Sequence, residues 1–314
     1  MKEPQFKMPN PEKKVEVKNE KVDSKFDELF NNQNVKSFIE LDFFRHSNKE
    51  KDKEKTDIEI SLTPEGKKNA IDKASIDTDI EQSIAFGAAP ERTGLTSMLV
   101  MGGQEESITG EETFNELRDK LDAGIAVGSK LGIDNRLDFK ADENSKYYAE
   151  LADNFINGKY LVYLIEQSDQ RAKDFGDDYT ATYSRMAQQV AQIIEKYQKI
   201  SPRWSQLVED KSAEYTKALQ RFMGTQQGVG ECFLAKVIEL TNGAVERDKF
   251  VEALGKKQGF DFLEGLRIFV VDDDGDRPKL FVEYKHKDKE DASRNFEFVK
   301  EIDPALIEKI ASGM

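Results

Sequence analysis

A short apolar and aromatic run that ends in Arg-His-Ser limits the fold of this chain more than any other feature. The segment 39–47 carries Ile, Leu and two Phe before it reaches Arg45, His46 and Ser47. This pattern predicts a short buried strand whose last residues continue into a loop. In α/β proteins, ligands bind at the carboxyl ends of such strands. A guanidinium grips phosphate oxygens through a planar fork, and a neutral imidazole can attack phosphorus. The stretch therefore indicates phosphate chemistry, the alternative being an ordinary surface dipeptide.

Composition excludes several classes of protein and site. The 314 residues are enough for one large α/β domain or two smaller ones. The net charge of -14 argues against a general binder of nucleic acids or anionic membranes. Cys232 is the only cysteine, which excludes an intramolecular disulfide and a cysteine-rich zinc site. The chain has no run of about 18 apolar residues and no apolar signal core near its start, so we expect a cytoplasmic protein without a transmembrane helix.

Strand and helix signals alternate along the chain, which predicts an α/β fold. Thr63 is a good N-cap and Pro64 fits the first helical position, so a helix is expected from Pro64 to about Ala74. A strand at 83–87 leads to a helix with Arg92 in its first turn, and a strand at 219–225 leads to another helix. We therefore predict a three-layer sandwich, in which helices flank a central, mostly parallel sheet, with an inserted helical cap.

Domain organisation follows from shifts in composition. Residues 1–34 are rich in Lys and Glu and poor in large apolar residues, which predicts a disordered charged tail. Residues 35–314 are expected to form the α/β domain, with the cap at about 102–200. Within the cap, 178–199 reads as a long amphipathic helix. Its core face is predicted from apolar spacing to comprise Met186, Val190, Ile193, Ile194 and Tyr197.

The last part of the chain predicts a β-hairpin around an Asp-rich turn. Asp272, Asp274 and Asp276 alternate in this turn, which is a pattern that calcium loops share. The turn is shorter than an EF-hand loop and lacks its closing glutamate. We therefore expect no metal here.

Three short motifs, in order, resemble those of the histidine phosphatase superfamily, also called phosphoglycerate-mutase-like. Arg45-His46-Ser47 follows the first strand, where the family has Arg-His-Gly, and 62–66 (Leu-Thr-Pro-Glu-Gly) resembles the family's next helix start. Arg92 is followed by Thr96, as the family's second arginine is by a threonine. The resemblance covers about Ser37 to the C-terminus. It implies a phosphomonoester hydrolase or phosphotransferase that needs no cofactor.

The resemblance also implies roles for single residues. His46 would be the nucleophile that becomes phosphohistidine, and Arg45 and Arg92 would clamp the phosphoryl oxygens. Ser47, in place of the family's glycine, offers a hydroxyl to the phosphate. Asp138 follows Leu137 near the family's catalytic glutamate and is a proton-donor candidate, the alternative being an exposed loop aspartate. The expected partner is a phosphorylated small molecule or a phosphoprotein, and neither nucleic acid nor membrane is expected.

The chain departs from the family pattern at Gln226, which stands where the family has its second histidine. The only other histidine, His286, lies at a charged strand end and is expected to be exposed. A glutamine amide can donate a hydrogen bond but carries no charge, and losing one preorganised donor lowers a rate by roughly 10²–10³. Two functions therefore stay open. One is an enzyme with weak or altered activity, and the other is a phospholigand-binding pseudoenzyme with a regulatory or scaffolding role.

Overall fold

The computed structural model describes residues 35–52, 54–75, 78–123, 128–255, 259–273, 275–288 and 291–313. The predicted tail at 1–34 and Asp274 of the predicted hairpin turn lie outside the described residues. Within the described ranges, no helix is both long enough and apolar enough to cross a membrane.

The centre of the fold is one seven-stranded sheet with the order β3-β2-β4-β1-β5-β6-β7. Its strands are β1 (Ser37–Arg45), β2 (Ile84–Gly87), β3 (Leu131–Ile133), β4 (Ala218–Thr225), β5 (Gly265–Asp272), β6 (Lys279–His286) and β7 (Phe296–Ile302). The pairs from β3 to β1 are parallel, and the pairs from β1 to β7 are antiparallel. The predicted α/β class is confirmed. The parallel strands form one half of the sheet, and the predicted hairpin, β5-β6, belongs to the antiparallel half.

Helices cover both faces of the sheet. They are α1 (Pro64–Lys73), α2 (Glu91–Gly102), α3 (Phe114–Leu121), α4 (Lys146–Ile156), α5 (Tyr160–Phe175), α6 (Tyr183–Asp210), α7 (Val229–Asn242), α8 (Ala244–Leu254) and α9 (Pro304–Ala311). Side chains of β1 point alternately to two cores. Ile39 and Leu41 pack with α6 and α7, whereas Phe44 packs with α1 and α2. The sheet is thus the middle of three layers, as the sequence predicts.

Local signals account for the start of α1. The Thr63 side chain accepts a hydrogen bond from the Gly66 backbone N–H at 3.0 Å, and Pro64 occupies the first helical position. This cap is the one that the Thr-Pro dipeptide predicts.

The long helix α6 has different limits from those predicted. Its core face is confirmed, because Met186, Val190, Ile193, Ile194 and Tyr197 are all buried. The predicted start at residue 178 is wrong, because Asp177 Oδ1 accepts from the backbone N–H groups of Tyr179 and Thr180 and holds them in a turn. The predicted end at residue 199 is also wrong, since the helix continues through Pro202 to Asp210.

The interval predicted as a cap contains elements of two kinds. The strand β3 extends the sheet edge, and α6 packs against β1 and β5. The helices α4 and α5 pack against each other and contribute side chains to the cavity described below. Among these elements, α4 and α5 are therefore the ones that line the cavity.

The prediction that His286 is exposed is wrong. The residue is 5% exposed, and its Nδ1 lies 2.6 Å from Oε1 of Glu264. The hydroxyl of Tyr284 donates to the same carboxylate oxygen at 2.9 Å. Glu264, which directly precedes β5, thus holds the imidazole in the interior, although charged residues flank His286 in the sequence.

Candidate active site

A cavity of about 760 Å³ lies at the carboxyl ends of β1 and β4 and beside the first turn of α2. Its size falls within the range of roughly 300–1,000 Å³ that is typical of ligand pockets. Five residues singled out from the sequence line it: Arg45, His46, Arg92, Asp138 and Gln226. The parallel pairing of β1 with β4 sets this arrangement, because Arg45 lies opposite Thr225 and the His46 N–H donates to the Thr225 carbonyl at 3.0 Å.

The imidazole of His46 is buried, and its two nitrogens have different surroundings. Nδ1 lies 2.7 Å from the backbone carbonyl oxygen of Ser47, which can only accept, so Nδ1 carries the proton in the neutral ring. Nε2 is then the acceptor of the ring, and Arg92 Nε donates to it at 3.3 Å. Burial, together with the charges of Arg92 and Arg45, lowers the pKa of His46 to about 3. The ring is therefore neutral near pH 7, with Nε2 as its basic atom.

Arg92 is a buried guanidinium surrounded by acceptors. Its Nη2 donates to Gln226 Oε1 at 2.9 Å and to Asp57 Oδ2 at 2.8 Å, and its Nη1 donates to the Asp57 carbonyl at 2.6 Å. Only 2% of the Arg92 side chain is exposed. Burial would raise the pKa of Asp57, but the hydrogen bond and the charge of Arg92 outweigh it, so the pKa is lowered. The Asp57 carboxylate thus occupies a donor of Arg92 that could otherwise bind an anionic ligand.

Arg45 is held on one side and has an unused donor. Its Nη1 donates to the Phe260 carbonyl at 2.6 Å, and its guanidinium carbon lies 4.5 Å from the centre of the Phe262 ring. Its Nε is buried and has no hydrogen-bond partner within the described residues. Burying a donor without a partner is unfavourable, so this position is retained at a cost in stability.

Gln226 connects Arg92 to the candidate proton donor. Its Nε2 donates to Asp138 Oδ1 at 3.2 Å while its Oε1 accepts from Arg92. Burial raises the pKa of Asp138, although the hydrogen bond from Gln226 opposes it. Asp138 is partly buried at the cavity, not an exposed loop residue, and a carboxyl with a raised pKa is suited to donate a proton.

Ser47 is not among the residues that line the cavity in the described structure. Its side chain is fully buried, and its Oγ has no hydrogen-bond partner there. Its backbone N–H donates to Thr96 Oγ1 at 3.1 Å. Its backbone does not adopt a positive φ, so serine is unstrained where the resembled family has glycine. Ser47 therefore serves the site through its carbonyl oxygen, which orients His46.

Several lining residues escape prediction from sequence. Asp57 is one of many charged residues in a loop, and no local pattern marks it as the one that pairs with Arg92. The helices α4 and α5 supply an apolar wall that reads in the sequence as ordinary helix core. Its members at the cavity are Tyr148, Leu151, Ala152, Phe155, Ile156 and Tyr160.

A second cleft, of about 450 Å³, lies on the sheet, and half of its lining residues are charged. Its charges pair with one another, since Arg267 is bonded to Glu283 and lies 3.7 Å from Glu40. Glu40 also accepts a hydrogen bond from Gln220 at 3.1 Å. Arg267 in this cleft therefore lies between two carboxylates. In the described part of the chain, no group of three or more His, Cys, Asp or Glu residues is arranged to hold a metal ion.

Comparisons with known proteins give distant likenesses. No protein-family model matches the chain, and no curated protein matches it. A solved structure of a mycobacterial glucosyl-3-phosphoglycerate phosphatase is 10% identical with a TM-score of 0.40, and the match covers 74% of this chain and 91% of that chain. A structure described as mycobacterial hydrolase 2 is 10% identical with a TM-score of 0.41, covering 88% of this chain and 97% of that chain. The geometry of the cavity is therefore what bears on function.

Proposed function

We propose that this protein is a phosphomonoester hydrolase or phosphotransferase of the histidine phosphatase type, with His46 as its nucleophile. The observation that carries the proposal is the state of the imidazole. It is neutral, its Nδ1 is fixed by the Ser47 carbonyl, and its Nε2 lies beside the buried Arg92. A neutral, oriented imidazole next to a guanidinium is what attack on a bound phosphate requires. The ligand would be a phosphorylated small molecule or a phosphoprotein.

The reaction would take place in two steps. His46 Nε2 gives up its hydrogen bond from Arg92 Nε and attacks phosphorus, the bond from phosphorus to the ester oxygen breaks, and Asp138 gives its proton to the departing oxygen. Water then attacks the phosphohistidine, the Nε2–phosphorus bond breaks, and Asp138 takes the proton from water. Phosphate leaves, and His46 is neutral again. An acceptor alcohol in place of water makes the same cycle a phosphotransfer.

The two arginines would stabilise the charge that develops on the phosphoryl oxygens. Arg45 lines the cavity with its guanidinium, and Arg92 offers donors that Asp57 occupies in this structure. Phosphate binding at Arg92 therefore requires that the Asp57 carboxylate leave. Gln226 would supply a neutral contact where the resembled family has a charged one.

A second candidate function is that of a phospholigand-binding pseudoenzyme. The Gln226 amide favours it, because this group cannot supply the positive charge of an imidazolium to the transition state. The arginines would still bind phosphate. The two functions thus share a ligand and differ in turnover.

One experiment separates them. The purified full chain, His46→Ala and Gln226→His are assayed with a generic phosphomonoester, and vanadate binding is measured for each. Turnover by the wild type that His46→Ala abolishes supports the enzyme. An inert wild type that binds vanadate, together with turnover gained in Gln226→His, supports the pseudoenzyme. His286→Asn, which removes the other histidine, is the control and is expected to leave vanadate binding unchanged. Absence of vanadate binding in every protein would overturn the proposed pocket.

A further inference from the structure

Exposed apolar side chains concentrate around the mouth of the cavity. In the part of the chain that the structure describes, ten large hydrophobic residues are exposed, and five of them line this cavity. These are Ile58, Phe155, Ile156, Tyr179 and Phe262. Isolated exposed apolar residues need no explanation, but a group around one concave site is typical of ligand contact.

The apolar surface begins directly beside the nucleophile. The Phe262 ring centre lies 6.0 Å from that of His46, and the Arg45 guanidinium covers the same ring. On the side of α5, the ring centre of Tyr160 lies 5.3 Å from that of Phe155, which it meets edge-on, and 6.3 Å from that of Phe139. The Tyr160 hydroxyl donates to the Gln227 carbonyl at 3.3 Å, next to Gln226. Phe139, Phe155 and Tyr160 thus form an aromatic wall. Tyr160 ties this wall to the arginine floor of the cavity, formed by Arg45, His46, Arg92 and Gln226.

Much of the α4 surface at the cavity offers no hydrogen bond to a polyol, although Tyr148 of the same helix carries a hydroxyl. Leu151, Ala152, Phe155 and Ile156 of α4 present no hydrogen-bonding side-chain groups to a ligand. Charged side chains also line the cavity, with Lys140 and Glu143 contributed by the segment before α4. A sugar or glycerol phosphate would lose water from its hydroxyl groups against the α4 surface without replacing those hydrogen bonds. An aromatic ring would gain both apolar burial and ring contacts there.

We infer that the ligand is an aryl or arylalkyl phosphate, whose phosphoryl group lies on the arginine floor and whose ring packs against the wall formed by Phe139, Phe155 and Tyr160. This inference rests on the proposed function for the phosphate-binding floor and adds the class of ester to it. Its second part, the preference for an aromatic group, depends on the wall alone.

Binding of phosphonates tests the inference without requiring turnover. The affinities of the full chain for benzylphosphonate and methylphosphonate are measured by calorimetry. We expect benzylphosphonate to bind about tenfold more tightly, because it buries a ring that methylphosphonate lacks. Phe155→Ser is expected to reduce this ratio to about twofold or less. Ile156→Ser, at a position that is 80% exposed and so cannot disturb a core, is expected to reduce it as well.

Matched variants away from the cavity serve as controls. Phe175→Ser changes a phenylalanine of similar exposure, 38% against 47% for Phe155, that does not line the cavity. Val245→Ser similarly matches Ile156→Ser. Both controls should keep the tenfold ratio. Equal affinities for the two phosphonates in the wild type would overturn the aromatic preference while leaving the phosphate floor intact. Loss of the ratio in the controls as well would also overturn it. If neither phosphonate binds, the floor itself is wrong and the inference falls with it.

Discussion

The Asp57 carboxylate accepts a hydrogen bond from Arg92 Nη2 at 2.8 Å, and the Asp57 carbonyl accepts from Nη1 of the same guanidinium at 2.6 Å. The Asp57 side chain is 60% exposed, whereas that of Arg92 is 2% exposed. Asp57 thus reaches from a surface turn to a buried cation and offers it two oxygens, one of its carboxylate and one of its main chain, where a phosphate could offer two of its own. An incoming phosphate has to compete with it for the same donors.

Replacing Asp57 should strengthen anion binding. We expect Asp57→Asn to raise the affinity for vanadate about tenfold, because a neutral amide competes less well for the guanidinium and no longer repels the anion. Calorimetric titration with vanadate measures the change. Glu59→Gln, in the same turn but bonded to Thr56, is the control and should leave the affinity unchanged. An affinity for Asp57→Asn equal to that of the wild type would show that Asp57 does not compete.

The buried neutral His46 should make the protein less stable in mild acid. Its pKa is about 3 in the folded protein and about 6.5 in an unfolded chain, so between these values the unfolded state binds the extra proton. The free energy of unfolding should fall as pH drops through this window, by about 2 kcal/mol from this residue between pH 7 and pH 5. Urea unfolding of the wild type and His46→Asn at both pH values measures this contribution.

The difference between the two proteins is the informative quantity in that experiment. Ile194→Val, a core change distant in sequence, should lower stability equally at both pH values. If His46→Asn loses as much stability on acidification as the wild type, the imidazole is not the group that titrates.

The loss of activity on replacing Asp138 should depend on the leaving group of the substrate. With an alkyl phosphate, Asp138→Asn is expected to lower kcat/KM by roughly 10²–10³, because the departing alkoxide needs a proton. With p-nitrophenyl phosphate, whose leaving group is stable as an anion, the loss should be much smaller. Glu143→Gln removes another carboxyl that lines the cavity and should affect both substrates alike. Equal losses with both substrates in Asp138→Asn would rule out proton donation by this residue.

Removal of the Ser47 hydroxyl should be harmless. Its Oγ is buried without a hydrogen-bond partner in the described residues. Ser47→Ala therefore removes a polar group that makes no stabilising hydrogen bond. We expect unchanged vanadate affinity and a free energy of unfolding that is equal or higher, within about 1 kcal/mol. A large loss of affinity would instead show that the hydroxyl contacts the ligand.

The sequence predicts best what neighbouring residues determine. The strand that ends in Arg45-His46 and the helix that Thr63 caps both depend on local patterns, and both are present. Asp57 and His286 are different, because their partners, Arg92 and Glu264, come from other elements. Asp138 is intermediate: its place after Leu137 indicates a role, but its contact with Gln226 spans 88 positions. No local pattern specifies which charged residues meet across such distances.

The pairing of β1 with β4 has a consequence for how this site changes over time. Main-chain hydrogen bonds fix the positions of residues 46 and 226 relative to each other, whatever side chains stand there. Glutamine and histidine codons differ only in their third base. A single point mutation at codon 226 would therefore place an imidazole where Gln226 stands, on an unchanged backbone, so the glutamine and histidine forms of this site are immediate genetic neighbours.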